Sequence, residues 1–113
     1  MSTITGIAQS GLQAATLRLE VSAGNVANAL TPGFAPGRVG SAEVAGGGVT
    51  ASVVMGADPA AEARADRALL AASGTDLVAE LVAQSQAARL AEANLASLQT
   101  ADDLFQAALK LKP

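Results

Sequence analysis

Carboxylates are the main side chains in this sequence that could support acid–base chemistry or bind a metal ion. The 113 residues include no His and no Cys, so the most common general base and the soft metal ligands are missing. Hydrolysis by paired carboxylates requires two acids with separated pKa values in one concave site. The acids here instead fall at the starts or on the faces of predicted helices, where capping and solvation account for them. They are Asp58, Glu62, Asp66, Asp76, Glu80, Glu92, Asp102 and Asp103.

The triple glycine Gly46-Gly47-Gly48 is the one stretch that suggests a phosphate-binding loop. A phosphate loop, however, continues into a Lys-Ser or Lys-Thr pair at the start of a helix, and no such pair follows here. The acid spacing of a calcium-binding loop is also missing. The sequence therefore predicts a protein that is not an enzyme and that uses no metal or cofactor.

The composition favours long packed helices over a thick globular core. Half of the residues are hydrophobic, but the aromatic residues are limited to Phe34 and Phe105. A core of small side chains buries little area, so we expect such a chain to gain stability by association. The formal net charge is −3 and no cluster of Lys and Arg occurs, so no nucleic-acid partner is predicted.

The sequence shows neither a membrane span nor a cleavable export signal. No uninterrupted apolar stretch approaches the roughly 20 residues that cross a bilayer. A secretory signal begins with a basic segment, whereas the first cationic side chain here is Arg18. We therefore expect a chain that is not membrane-spanning and that carries no cleaved signal peptide.

Residues 1–33 form the first of three parts and predict one helix followed by a turn. Apolar or small residues recur every three or four positions through residues 3–30, which predicts one apolar helix face. Gly6, Gly11 and Gly24 each cost a helix about 1 kcal/mol relative to Ala, but they let another backbone approach closely. Pro32 and Gly33 then predict a type II turn that ends the helix. The predicted face consists of Ile4, Ala8, Leu12, Ala15, Leu19, Ser22, Val26 and Ala29.

Residues 34–74 form a short, Gly-rich middle segment. The triple glycine separates residues 41–45 from residues 49–55, and the second stretch alternates with Val49, Ala51 and Val53 on one face. This pattern predicts a small β-hairpin or a pair of short strands. Asp58 and Pro59 can begin a helix over residues 60–72, and an extended linker is the alternative there.

Residues 75–113 carry the strongest periodic pattern of the sequence. An alternating spacing of four and three, uninterrupted by Gly or Pro, predicts a long helix in a coiled-coil setting. Thr75 or Asp76 can cap its start, and Lys110 suits its end. Gln84 and Asp102 either lie at the edge of a loose interface or fix the register between subunits. The seam consists of Leu77, Leu81, Gln84, Ala88, Ala91, Leu95, Leu98, Asp102, Phe105 and Leu109.

The three parts together predict a mainly α fold. Long N- and C-terminal helices are expected to pack as a coiled coil. The small hairpin and loop segment lies between them in the sequence, and the short helix or linker follows it.

Two sets of residues resemble the terminal signatures of flagellar rod, hook and hook-associated axial proteins. The N-terminal set is Ser10-Gly11-Leu12-Gln13-Ala14-Ala15, Asn25-Val26-Ala27-Asn28 and Thr31-Pro32-Gly33-Phe34. The C-terminal set is Asp76-Leu77-Val78-Ala79-Glu80-Leu81-Val82, Glu92-Ala93-Asn94 and Gln99-Thr100-Ala101-Asp102. Both sets occur in the expected order and cover over half of the chain. The middle segment is short even for a proximal-rod protein, which is the type nearest in size.

The resemblance implies a structural subunit of the bacterial flagellar rod that is exported unfolded through the type III apparatus and then self-assembles. Its partners would be other rod or axial subunits, itself and the export apparatus, and its location would be the periplasm-spanning rod of the basal body. The resemblance and the periodicity together assign residues to the subunit interface and to the turn. The interface residues are Leu12, Leu19, Asn25, Val26, Asn28, Leu77, Leu81, Ala88, Leu95, Leu98 and Phe105, and the turn residues are Thr31, Pro32 and Gly33.

Several choices are left open by the residues. Asn25 and Asn28 either supply polarity at a helix end or make hydrogen bonds between subunits. The short middle and the entry Ser73-Gly74-Thr75-Asp76 fit either a minimal rod subunit or a divergent accessory relative. The alternative function is that of an export adaptor or chaperone-like protein that binds the helices of axial proteins.

Overall fold

The computed structural model describes residues 3–55 and 73–111 and contains two long helices and one β-hairpin in this part of the chain. The elements are α1 (Ile4–Ala27), β1 (Gly37–Glu43), β2 (Val49–Met55) and α2 (Leu77–Lys110). The two helices pack against each other and the hairpin packs against α1, which confirms the mainly α fold with a hairpin between two terminal helices. The predicted helix or linker over residues 60–72 lies outside the described residues. Neither α1 nor α2 has the length and apolarity that a membrane crossing requires.

Helix α1 is capped at both ends by side chains. The Thr3 hydroxyl accepts a hydrogen bond from the Gly6 amide at 3.2 Å. At the other end, the backbone and side-chain amides of Asn28 both donate to the Gly24 carbonyl, at 3.2 and 2.9 Å. The Ala29 amide then donates to the Val26 carbonyl, a tighter turn than an α-helix makes. The helix therefore ends at Ala27, three residues before the predicted boundary.

The turn after α1 reverses the chain at residues 31–34. The Phe34 amide donates to the Thr31 carbonyl at 3.2 Å, and Gly33 has a positive φ of 72°. A type II turn requires this conformation at its third residue, which Gly adopts without steric cost. The chain is thereby directed from the end of α1 into β1.

The hairpin is antiparallel, with Gly37 opposite Met55 and Glu43 opposite Val49. This confirms the predicted hairpin, although the first strand begins at Gly37 instead of residue 41. The reason is that all seven residues of β2 find a pairing partner in β1. Gly46, Gly47 and Gly48 all have positive φ and form the connection.

Helix α2 is a single continuous helix of 34 residues. The Asp76 carboxylate accepts hydrogen bonds from the Val78 and Ala79 amides, both at 3.1 Å. Glu80 lies in the first turn and Lys110 in the last turn, where their charges complement the helix dipole. Asp102, one of the two polar seam positions, is exposed and accepts a hydrogen bond from Gln106.

The contact between the helices consists largely of small and polar side chains, and most of the large apolar residues of the predicted seam lie outside it. The buried apolar residues of the described chain are Ala8, Ala14, Ala15 and Ala87. The predicted seam and the observed contact share only some positions of α2, because small side chains let the helix axes approach closely where a row of leucines would hold them apart. The inward positions of α2, all buried or half-buried, are Glu80, Ala83, Gln84, Ala87, Ala91, Asn94, Leu98 and Ala101. Gln84, Ala91 and Leu98 belong to both sets.

Two contacts fix an antiparallel register between the helices. The Asn25 side chain bonds to the Glu80 carboxylate, and Gly11 lies against the side chain of Asn94. Gly11 precedes Asn25 by 14 residues, and Asn94 follows Glu80 by the same number. Ile4, the first residue of α1, is therefore level with Ala101.

Gly24→Ala and Gly11→Leu are predicted to change the free energy of unfolding in opposite directions. A Cβ at Gly24 would meet nothing within 4 Å, so alanine should add up to about 1 kcal/mol of helix propensity. A Cβ at Gly11 would lie 2.7 Å from Asn94 Cγ, so leucine must displace the Asn94 side chain or separate the helices, at a cost of about 2 kcal/mol. Urea unfolding followed by far-UV circular dichroism measures both changes. An unchanged free energy for Gly11→Leu would contradict the close helix contact.

Candidate subunit interface

Asn25 lies where α1, β1 and α2 meet. Asn25 is only 3% exposed, and its side chain makes two hydrogen bonds with the backbone of Gly37, donating to the carbonyl at 2.9 Å and accepting from the amide at 2.8 Å. The same amide nitrogen donates to the Glu80 carboxylate at 2.8 Å. One side chain thus fixes the first residue of the hairpin and the first turn of α2 relative to α1.

Further polar contacts support this junction. The Ser22 hydroxyl donates to the Glu80 carbonyl at 3.2 Å, and the Thr75 hydroxyl donates to the Asn25 carbonyl at 3.3 Å. The Gly74 amide donates to the Phe34 carbonyl at 3.0 Å, which joins the entry of α2 to the turn after α1. Within the described residues, every buried side-chain nitrogen and oxygen has a hydrogen-bond partner.

The far end of the hairpin is docked onto α1 by Ser10. The Ser10 hydroxyl accepts a hydrogen bond from the Val49 amide at 3.1 Å and donates to the Ile7 carbonyl at 2.7 Å. Gly47 and Gly48 lie directly over α1, where an added Cβ would be 2.8 Å from the Ile7 and Ser10 side chains respectively. The triple glycine therefore serves a close backbone approach to a helix.

Two open clefts of about 550 and 520 Å³ lie between the hairpin and the helix pair. The first contains Glu80, which is already engaged by Asn25. The second contains Arg18, which donates to the Ser41 hydroxyl at 2.7 Å. Across residues 3–55 and 73–111 no three acids come close enough together to hold a metal ion.

The two clefts show which flank of each helix faces the hairpin. On α1 this flank carries Ile7, Ala14 and Arg18, and on α2 it carries Ala83 and Leu90. Residues advance by about 100° along a helix, so positions on the opposite flank can be identified from the sequence number alone.

A group of apolar residues lies on the flank away from the hairpin, on both helices. Leu12, Leu19 and Val26 are displaced by about 140° around α1 from the line that includes Ile7 and Ala14. Leu12 also borders an open cleft beside β2, so it lies at the edge of this group. On α2, Leu81, Ala88 and Leu95 each follow an α1-facing residue by one position, which places them about 100° around the helix from that line. Leu90 follows an α1-facing residue by three positions and therefore lies on the other side of the line. We call this surface the open side. It consists of Leu12, Leu19, Val26, Leu77, Leu81, Ala88 and Leu95.

Large parts of the open side are exposed. Leu81 is 62% exposed and Leu95 is 49% exposed, and Leu12, Leu19 and Val26 are half-buried. Several large apolar side chains of α2 therefore point outward, whereas Ala87 on its inward face is buried.

The remaining four predicted interface residues have other places. Asn25 is buried and uses its amide hydrogen bonds within the chain. Asn28 caps α1 and accepts a hydrogen bond from Thr31. Leu98 is half-buried on the inward face of α2. Phe105 lies in the last turns of α2 and is 64% exposed.

The sequence prediction did not identify the partners of these residues. Glu80 was a capping acid by its position, and its bond to Asn25 was not predicted because it spans 55 residues of sequence. Ser10 and Gly11 were part of the N-terminal signature, but no periodic pattern distinguishes a residue that docks a hairpin from one that faces solvent. Their adjacency to a Gly-rich hairpin turn and to Asn94 appears only in three dimensions.

The architecture defines a small helical protein with antiparallel terminal helices, a hairpin on one flank and an apolar open side on the other. The family model described as "Flagella basal body rod protein" matches residues 7–34. The model described as "Flagellar basal body rod FlgEFG protein C-terminal" matches residues 68–111. The chain therefore belongs to the flagellar basal body rod protein family, as the terminal signatures predicted. A search of curated proteins finds no match to the chain.

Asn25→Ala is predicted to destabilise the chain by about 3 kcal/mol, because it leaves the buried Gly37 peptide and the Glu80 carboxylate without their partner. Asn28→Ala is the matched control, since it removes an amide whose hydrogen bonds are exposed, and it should cost about 1 kcal/mol or less. Chemical denaturation of both variants measures the difference. Equal losses would show that the junction at Asn25 has no special weight.

Proposed function

We propose that this protein is a structural subunit of the flagellar rod that polymerises by packing its open side against the helices of neighbouring subunits. Membership of the rod protein family supports the structural role. The observation that carries the proposal is the distribution of apolar side chains. The buried apolar residues of the described chain are four alanines. Leucines and valines of α2 are exposed, and Leu12, Leu19 and Val26 of α1 are only half-buried.

This distribution is unfavourable for an isolated protein and suits an assembled one. Complete burial of a leucine side chain contributes about 1.5–3 kcal/mol, and Leu77, Leu81 and Leu95 each keep about half or more of their surface exposed. Contact with neighbouring helices recovers this free energy. A partner that binds only the folded chain also stabilises it by mass action, so the helices gain order as the polymer grows.

The other parts of the proposal follow from the rod family. The chain is exported from the cytoplasm through the flagellar type III apparatus without a cleaved signal, and it acts in the periplasm-spanning rod. Its partners are other rod subunits and copies of itself, and its role involves no catalysis. The glycines of α1 support passage in an unfolded state, because each one lowers the stability of the isolated helix.

Fractionation of intact basal bodies tests the rod assignment against the adaptor alternative. A subunit is present in several copies in purified basal bodies, and it is secreted when rod assembly is blocked downstream. An adaptor remains in the cytoplasm and is absent from basal bodies. Absence from basal bodies would overturn the proposed function.

A double substitution on the open side tests how the subunit assembles. Leu81→Gln with Leu95→Gln is predicted to abolish incorporation into basal bodies and motility, because the contact loses the apolar burial of two leucines. The stability of the free chain should change by no more than about 0.5 kcal/mol, since both positions are exposed.

The matched control is Leu81→Met with Leu95→Met. Methionine and glutamine have similar length and helix propensity but differ in polarity, so the methionine variant should assemble normally. Quantification of each variant in basal bodies by immunoblot measures the difference. Equal incorporation of the two variants would remove the open side from the interface.

A further inference from the structure

The C-terminal part of α2 extends well past the N-terminal end of α1. In the register set by Asn25 and Gly11, α1 begins level with Ala101. The exposure of α2 changes at the same position, since Ala101 is half-buried and every described residue after it is exposed. Nine residues of α2 remain beyond this point, to Lys110, which corresponds to about 13 Å of helix. We call this segment the overhang.

The overhang continues the face on which α1 lies. The inward positions Ala91, Asn94, Leu98 and Ala101 are followed, at the same spacing of three and four, by Phe105 and Ala108. Leu104 and Leu109 flank this line and are 63% and 61% exposed. The groove that holds α1 is therefore prolonged past the start of α1, with larger apolar side chains and no covering element among the described residues.

The direction of α1 determines which helix end could lie in the prolonged groove. Because α1 is antiparallel to α2, a second α1 on the same line would bring its C-terminal end next to the first helix's N-terminal end. The C-terminal end of α1 is followed, three residues after Ala27, by Leu30, which is 84% exposed. Leu30 of one copy would thus reach Phe105 of the next.

The charges at the ends of α1 agree with such an arrangement. Its first turn contains no acidic residue and its last turn no basic residue, so no charged side chain in these turns offsets the partial charges of the helix dipole. Placement of two α1 helices end to end brings the negative end of one to the positive end of the other, which is electrostatically favourable.

We propose that the overhang of α2 is a splint that holds α1 of a second copy of this chain end to end with its own α1. The contact joins two different surfaces, so it is heterologous, and repetition without closure gives a filament. This inference rests on the proposed function and adds the axial contact to the lateral contact of the open side. One helix end buries far less than the roughly 1,600 Å² of a standard interface. The splint contact is therefore too small to hold two free chains together, and it forms only within the assembly.

Cysteine cross-linking tests the splint, because the chain has no cysteine of its own. The double variant Leu30→Cys with Phe105→Cys is introduced in place of the native chain, and purified basal bodies are oxidised and run on a non-reducing gel. We expect a ladder of disulfide-linked multiples of the chain. The matched control, Leu30→Cys with Thr50→Cys, places the second thiol on an exposed position of β2 and should give at least tenfold less product.

Each of the following outcomes of the cross-linking experiment would contradict the splint. Dimers of Phe105→Cys alone as abundant as the ladder would show a symmetric contact. A linkage only to a different rod protein would assign the groove to that protein. Failure to cross-link above the control, with the double variant present in basal bodies, would leave the proposed function intact and remove the splint. Absence of the native chain from basal bodies would instead contradict the proposed function itself.

Discussion

The whole structure depends on a single buried amide. Asn25 makes two hydrogen bonds to the buried backbone N–H and C=O of Gly37, which would otherwise need water as a partner. Its third bond binds the Glu80 carboxylate across the helix pair. A buried polar group is costly unless it is satisfied, and a fully satisfied one specifies a unique arrangement. The hairpin, the end of α1 and the start of α2 are held in one geometry by this constraint, since the alanine core around them is too small to specify it.

That constraint allows an unusual division between small and large side chains. Small residues and a few polar side chains make most of the contact between α1 and α2, and Ala15 is completely buried. Most leucines of α2 are left at the surface. A conventional amphipathic pair would do the reverse and bury its leucines internally, which would give a stable monomer with little reason to associate. Here the polar junction supplies the specificity of the subunit fold, and the exposed leucines remain available for the contacts between subunits that we propose.

The sequence predicted the helices and the hairpin well, but it did not predict which face of each helix contacts the rest of the chain. The reason is physical. Periodicity identifies residues that share a helix face, and it correctly indicated two long helices, the hairpin and the chain reversal at Gly33. It does not say whether that face meets the same chain or another one. Leu81 and Leu95 do share one face of α2, but this face lies about 100° around the helix from the face that contacts α1. Alanine gives a weak periodic signal, because it is helix-compatible on any face, so the inward line was hidden.

The two terminal signatures acquire a physical meaning from the structure. Ser10 docks the hairpin, Gly11 admits Asn94 of α2, and Asn25 closes the junction. These signature positions act within the subunit, whereas the leucines around them act on its surface. A change at a signature position should therefore alter the shape of the subunit and every contact that it makes, while a change at one leucine alters a single contact. The polar and small residues of the signatures determine the shape of the subunit, and that shape determines where the apolar residues between them lie on its surface.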